Sequence, residues 1–118
     1  MQDKKILVVD DSALMRKVLR DIFEEGGFTN VSEAANGQEA LEICESNCPD
    51  IMFLDIVMPE ISGIDVLKKV GDKVKTVVVS SVGQQSVIEE AKKCGALDFI
   101  VKPFEKDHVL DRAKKFLK

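Results

Sequence analysis

Several short apolar runs of this chain end directly in polar residues of types that can do chemistry. These residues are Asp10 with Asp11, then Asp55, then Ser80 with Ser81, and finally Lys102. If the runs are neighbouring parallel strands, their carboxyl ends meet at one edge of a sheet. That edge would then collect three carboxylates, two hydroxyls and one ammonium group.

Such a set of groups favours phosphoryl transfer assisted by a metal ion. Two carboxylates about 5 Å apart repel each other by roughly 3 kcal/mol at an effective dielectric near 20, so a cluster of acids favours a bound cation. Hard oxygen ligands suit Mg²⁺ or Mn²⁺. The Lys102 ammonium could hold a phosphoryl oxygen, and Asp55 is a natural nucleophile. Any one of these acids alone is better explained as a helix cap or a turn former, so the hypothesis depends on their joint occurrence.

The elements that must position these residues are predicted by the alternation of β-branched apolar runs with longer amphipathic stretches. This pattern is typical of repeated β-α units around a parallel sheet. The predicted strands are Ile6–Val9, Val31–Ala34, Ile51–Leu54, Thr76–Val79 and Phe99–Val101. The first, third and fourth are the most apolar, which places them at the sheet centre. The prediction is a doubly wound α/β fold, with a five-stranded parallel sheet in the order 2-1-3-4-5.

Five helices are predicted between and after the strands. The first has one apolar stripe that ends before Gly26 and Gly27, and its members are Leu14, Met15, Val18, Leu19, Ile22 and Phe23. The second is Gln38–Glu45, and the third is a short helix, Ile64–Val70. The last two helices are identified by their apolar faces, which are Val87, Ile88 and Ala91, then Val109, Leu110, Ala113, Phe116 and Leu117.

Composition limits the classes of protein that remain. A length of 118 residues favours one domain, residues 1–118, with no room for a second. A net charge of −4 disfavours nucleic-acid binding, and the absence of a long apolar run disfavours membrane insertion. An odd count of three cysteines without a CxxC motif indicates neither disulfides nor a zinc site. We expect a cytoplasmic monomer.

The chain carries a set of ordered motifs around these polar residues. They are Val8–Ser12, Leu54–Pro59 with Gly63, Ser80-Ser81, and Asp98–Phe104. Over its whole length the chain resembles the response-regulator receiver domains of two-component signalling, and it is most similar to the stand-alone CheY-type regulators of chemotaxis. The resemblance implies a flavodoxin-like (βα)5 fold and a signalling protein, not an enzyme with turnover.

The resemblance also implies a phosphoacceptor and a metal site. Asp55 would accept a phosphoryl group from a CheA-like histidine kinase. Mg²⁺, or Mn²⁺ in its place, would be bound by Asp11, by Asp10 largely through water, by Asp55, and by the backbone carbonyl of Val57. A flagellar motor switch protein is the implied downstream target, and a separate phosphatase is a further implied partner.

The remaining implied roles concern the bound phosphoryl group. Lys102 and the Ser80 hydroxyl would each contact one of its oxygens, and the backbone N–H of Ser81 would help to hold it. Movement of Ser80 would be accompanied by an inward turn of Phe99, which would reshape the face formed by the fourth helix, the fifth strand and the fifth helix. The family also commonly has a cis bond before the proline that Pro103 matches.

Two apolar residues depart from the pattern of many relatives. Val57 and Val82 flank the path of an attacking water, which predicts slow loss of the phosphoryl group unless a phosphatase acts. Three alternatives stay open at this point: a flavin carrier of the same topology, a phosphatase of the haloacid dehalogenase type, and an inactive receiver that only binds partners. The two acids after the first strand, and the lack of a second acid near Asp55, count against the first two.

Overall fold

The computed structural model describes residues 3–117 as an alternating series of strands and helices. The strands are β1 (Lys5–Val9), β2 (Asn30–Ala34), β3 (Ile51–Leu54), β4 (Lys75–Ser80) and β5 (Asp98–Val101). The helices are α1 (Ala13–Glu25), α2 (Gly37–Ser46), α3 (Gly63–Val70), α4 (Gln85–Lys93) and α5 (Lys106–Phe116). All predicted elements are present, and no predicted strand end differs from the observed one by more than one residue.

The five strands form one parallel sheet in the order β2-β1-β3-β4-β5. This order confirms the predicted doubly wound fold, with β1, β3 and β4 at the centre. The central strands are apolar because side chains on both of their faces are covered, and β3 is buried along its whole length. The carboxyl ends of the strands therefore meet at one edge, as the sequence predicted.

Two apolar cores lie on opposite faces of the sheet. Side chains alternate between the faces along each strand, so Ile6 and Val8 enter one core and Leu7 and Val9 enter the other. The first core packs against α1 and α5, and the second packs against α2, α3 and α4. In the first core, the ring of Phe23 lies 4.7 Å from that of Phe53 between centroids.

The predicted apolar stripe of α1 is wrong at two of its positions. Leu19, Ile22 and Phe23 are buried, but Leu14 is 72% exposed and Val18 is 37% exposed. Residues one apart on a helix point about 100° away from each other, and the sheet covers only one face of a helix. Leu14 and Val18 fall outside that face and lie at the surface.

Local capping explains where the helices beside the site begin. The Ser12 side chain accepts a hydrogen bond from Met15 N, which starts α1 directly after the acidic pair. Ser62 and Asp65 form a reciprocal capping box at the start of α3. With eight residues, α3 is as short as predicted. Within residues 3–117, no helix combines the length and the apolar character needed to cross a membrane.

Candidate functional site

Strand register brings the two central acids side by side. Val9 pairs with Leu54 across β1 and β3, so the residues that follow them, Asp10 and Asp55, are neighbours at the sheet edge. The backbone confirms this placement, because Asp55 N donates to Val9 O at 3.0 Å. Asp10 is 2% exposed and Asp55 is 7% exposed, whereas Asp11 lies at the surface.

Carboxylate oxygens of Asp10, Asp11 and Asp55 lie within 4.8 Å of one another. This separation allows one cation to contact oxygens from all three residues, and an all-oxygen donor set suits Mg²⁺ or Mn²⁺. The residues present therefore fit a divalent metal. Among residues 3–117, no other group of three or more acidic, histidine or cysteine side chains has the spacing to hold a metal ion.

Lys102 provides the positive charge at the site. The register of β4 and β5 pairs Ser80 with Val101, and Lys102 N continues the pairing by donating to Ser80 O at 2.9 Å. Its Nζ donates to Asp10 Oδ2 at 2.8 Å and to Asp55 Oδ2 at 3.3 Å. Burial lowers the pKa of Lys102, but its hydrogen bond to Asp10 and the two negative charges outweigh burial and raise that pKa overall. The ammonium is therefore charged at neutral pH.

Backbone amides complete the bonding of the two buried acids. Asp10 Oδ1 accepts from Ser12 N at 2.9 Å, and Asp55 Oδ1 accepts from Val57 N at 3.1 Å. In each case the donor lies two residues after the acid, which is the geometry of an Asx turn. These turns hold one carboxylate oxygen of each acid and leave the other oxygen to Lys102.

The loop between β3 and α3 passes very close to Asp55. A Cβ atom added at Gly63 would lie 2.4 Å from Asp55 O and 2.7 Å from Ile56 Cα, so only glycine fits there. In the same loop, Glu60 has a φ of 65°, a left-handed backbone conformation that residues other than glycine rarely adopt. The loop carries Val57, which is 54% exposed beside Asp55.

The remaining predicted site residues lie around this edge. Ser80 is the last residue of β4, not the first residue after it, and it is fully buried, with its Oγ accepting from Val82 N at 3.3 Å. Ser81 follows it at the surface. Phe99 on β5 is half-buried against the core that includes α4. The bond between Lys102 and Pro103 is cis.

The sequence did not identify Arg16 as part of the site. Arg16 lies on α1, and its NH1 donates to the backbone carbonyl of Asp10 at 2.7 Å. Its Nε donates to Glu33 Oε1 on β2 at 3.0 Å. A basic residue near the start of the first helix is a weak signal, because its partner on β2 is set by strand register.

The fold and site define a doubly wound α/β protein with an acidic cluster and a lysine at the carboxyl edge of its sheet. Residues 6–114 match the model of the response regulator receiver domain family. The chain belongs to this family, and it is a receiver domain of two-component response regulators.

Named relatives agree with this membership. The chain is 45% identical to a chemotaxis protein CheY of Thermotoga maritima, covering 98% of both chains. It is 43% identical to a chemotaxis protein CheY of Bacillus subtilis, covering 96% of this chain and 97% of the relative. Among solved structures, it is similar to one of a CheX–CheY–BeF3–Mg complex from Borrelia burgdorferi, with a TM-score of 0.91 and 32% identity over 98% of this chain and 90% of the other.

Proposed function

We propose that this chain is a chemotaxis response regulator that accepts a phosphoryl group on Asp55 in a reaction dependent on Mg²⁺. The observation that carries the proposal is the position of the Lys102 ammonium between the buried carboxylates of Asp10 and Asp55. A third carboxylate, that of Asp11, lies close enough for one metal ion to contact all three. This arrangement combines a nucleophile, a metal site and a fixed positive charge. The similarity to named CheY proteins supports the chemotaxis role.

In the proposed reaction, a carboxylate oxygen of Asp55 attacks the phosphorus of a phosphohistidine on a kinase. The P–N bond breaks as the O–P bond forms, and the imidazole leaves with its electron pair. Asp10, Asp11, Asp55 and the Val57 carbonyl would hold Mg²⁺, which supplies charge neutralisation for the transferred group when bound. Lys102 leaves its partner Asp55 Oδ2 and pairs with a phosphoryl oxygen.

The new phosphoryl group biases a two-state element of the fold. The phosphoryl group carries about −1.5 to −2 charges at neutral pH beside the end of β4, in place of the single negative charge of the Asp55 carboxylate. The hydroxyl of buried Ser80 and the backbone N–H of Ser81 are proposed as its hydrogen-bond donors. Phe99, half-buried on the neighbouring strand, would turn further inward as Ser80 moves and change the face of α4, β5 and α5 that a motor switch protein binds.

A direct test measures the intact mass of the protein after incubation with acetyl phosphate, with Mg²⁺ or with EDTA. We expect the mass of one phosphoryl group only with Mg²⁺, and none in Asp55→Ala. Failure of folded wild type to gain mass with any small donor or metal would contradict the proposal and favour an inactive receiver that acts by binding alone.

Val57 supports a further part of the proposal, which is slow loss of the phosphoryl group. Its backbone N–H bonds to Asp55, and its exposed apolar side chain cannot orient an attacking water by hydrogen bonding. We expect Val57→Asn to speed the loss by about tenfold, because an amide can position that water. Val18→Asn, which changes an exposed valine on α1, is the matched control. Equal decay of wild type and Val57→Asn would contradict this role.

A further inference from the structure

The Arg16 side chain bridges three segments of the chain at the acidic edge. It is 16% exposed, so it lies mostly inside the protein surface. Its NH1 contacts the backbone carbonyl of Asp10 at 2.7 Å, and its Nε contacts Glu33 at 3.0 Å. The planar guanidinium can hold both acceptors at once because its N–H groups form a rigid fork.

The Asp10 carbonyl belongs to the peptide group that joins Asp10 to Asp11. Because a peptide group is planar, fixing its oxygen also fixes the direction of the Asp11 amide and the path of the chain between the two Cα atoms. The contact with Arg16 therefore orients the backbone that carries two of the three clustered carboxylates. Within residues 3–117, the Arg16 side chain bonds to the Asp10 carbonyl and to Glu33, so at the acidic cluster it acts on the peptide group between the two acids and not on their carboxylates.

Glu33 holds the other side of the guanidinium in place. It lies on β2, where the residue Val8 of β1 is its register partner, two residues before Asp10. Its second oxygen accepts from Arg20 NH1 at 2.7 Å. The hydrogen bond from Arg20 lowers the pKa of Glu33, and the bond from Arg16 adds to this effect while burial opposes it. Glu33 is therefore an ionised anchor at neutral pH.

We propose that Arg16 is a positioning residue for the metal site, and that it sets the mutual orientation of Asp10 and Asp11 by holding the peptide group between them. The inference rests on the proposed function, since it concerns the metal on which phosphorylation depends. Arg16 touches neither the metal nor the phosphoryl group in this role.

The sign of the effect separates positioning from simple electrostatics. A positive charge near three carboxylates repels a divalent cation, so removing the charge alone would tighten metal binding. Loss of the contact with the Asp10 carbonyl would loosen the site and weaken binding. Groups that orient metal ligands typically change metal affinity by about tenfold or more when removed.

The test measures Mn²⁺ binding by electron paramagnetic resonance, with Mn²⁺ as the visible substitute for Mg²⁺. We expect Arg16→Lys, which keeps the charge but loses the fork, to weaken Mn²⁺ binding by about tenfold. Arg16→Ala should also weaken binding although it removes a repulsive charge. Arg20→Lys is the matched control, because Arg20 also binds Glu33 from α1, whereas the bond to the Asp10 carbonyl comes from Arg16. The Mn²⁺ affinity of Arg20→Lys should equal that of wild type.

A second measurement needs no metal. The ¹H–¹⁵N resonance of the Asp11 amide in EDTA should shift in Arg16→Lys and stay unchanged in Arg20→Lys. Equal Mn²⁺ affinities and equal Asp11 shifts in the two lysine variants would overturn the positioning role and leave the proposed function standing. If wild type binds no Mn²⁺, the proposed metal site fails, and this inference fails with it.

Discussion

Replacing Lys102 with methionine tests whether the lysine compensates the buried acids. At an effective dielectric of about 20, an ammonium attracts a carboxylate by about 6 kcal/mol at the 2.8 Å distance to Asp10 and about 5 kcal/mol at the 3.3 Å distance to Asp55. Dehydration of the charged groups cancels most of this attraction. Removing one partner of a fully buried ion pair costs about 3–5 kcal/mol, and the open mouth of this site reduces the expected loss to about 2 kcal/mol.

Urea unfolding in EDTA at neutral pH measures this loss. Far-ultraviolet circular dichroism is the suitable signal, because the chain has no Trp and no Tyr. The same high Mg²⁺ concentration should stabilise Lys102→Met more than wild type, because stabilisation by a bound ligand grows with the logarithm of its concentration divided by Kd, and no ammonium competes for the carboxylates. The free energy of unfolding of the variant should therefore approach that of wild type in Mg²⁺.

The same reasoning predicts a pH dependence. The pKa of Lys102 is raised in the folded chain, so its contribution to stability is complete below its ordinary value of 10.5 and is lost as pH rises through the folded value. Wild type and Lys102→Met should therefore converge in stability at strongly alkaline pH.

Lys17→Met is the matched control, because Lys17 has the same 2.8 Å distance to its partner Asp21 but both side chains are exposed. Its stability should match that of wild type. A metal-free Lys102→Met as stable as wild type, or one that gains no more from Mg²⁺ than wild type does, would refute the reasoning.

Two backbone positions near the site and two cysteines provide further predictions. Gly63→Ala should lower the free energy of unfolding by about 2 kcal/mol and slow phosphorylation, because its methyl group would overlap the backbone at Asp55. Glu60→Gly should raise the free energy of unfolding by about 1 kcal/mol by relieving its left-handed conformation. Burial raises the pKa of Cys44 to about 11, so iodoacetamide should label exposed Cys48 long before Cys44, and mass spectrometry of the labelled peptides measures the two rates.

The two backbone predictions have control variants, and the two cysteines are compared with each other. Gly83→Ala places a methyl group 3.0 Å from the Val101 side chain, which can move, so urea unfolding should show a smaller loss than for Gly63→Ala. Glu60→Ala keeps the Cβ atom and should gain no stability. An equal loss in both glycine variants, an equal gain in both Glu60 variants, or equal labelling of Cys44 and Cys48 would count against the respective explanation.

The strands and the acidic edge were predictable because their signals are local. A short apolar run followed by Asp10 or Asp55 indicates both a buried strand and its end, and the parallel topology then brings these ends together. The same reasoning placed Lys102 at this edge, where its Nζ contacts both acids. The sequence thus predicted which side chains meet, although not which oxygen each one contacts.

Features that depend on distant parts of the chain were not predictable. The exposure of Leu14 depends on how wide a face the sheet covers, which the periodicity of α1 does not contain. The contact of Arg16 with Glu33 depends on the register of β2 against β1 and on the tilt of α1. No local sequence pattern links Arg16 to a residue 17 positions away.

The two separate cores have a consequence for how this domain can diverge. The backbone of the sheet lies between the core under α1 and α5 and the core under α2, α3 and α4. Substitutions that share no contacts have additive effects, so changes in one core need no compensation in the other. A lineage of such domains can therefore remodel the helices on one side for a new partner while the packing on the other side is inherited intact.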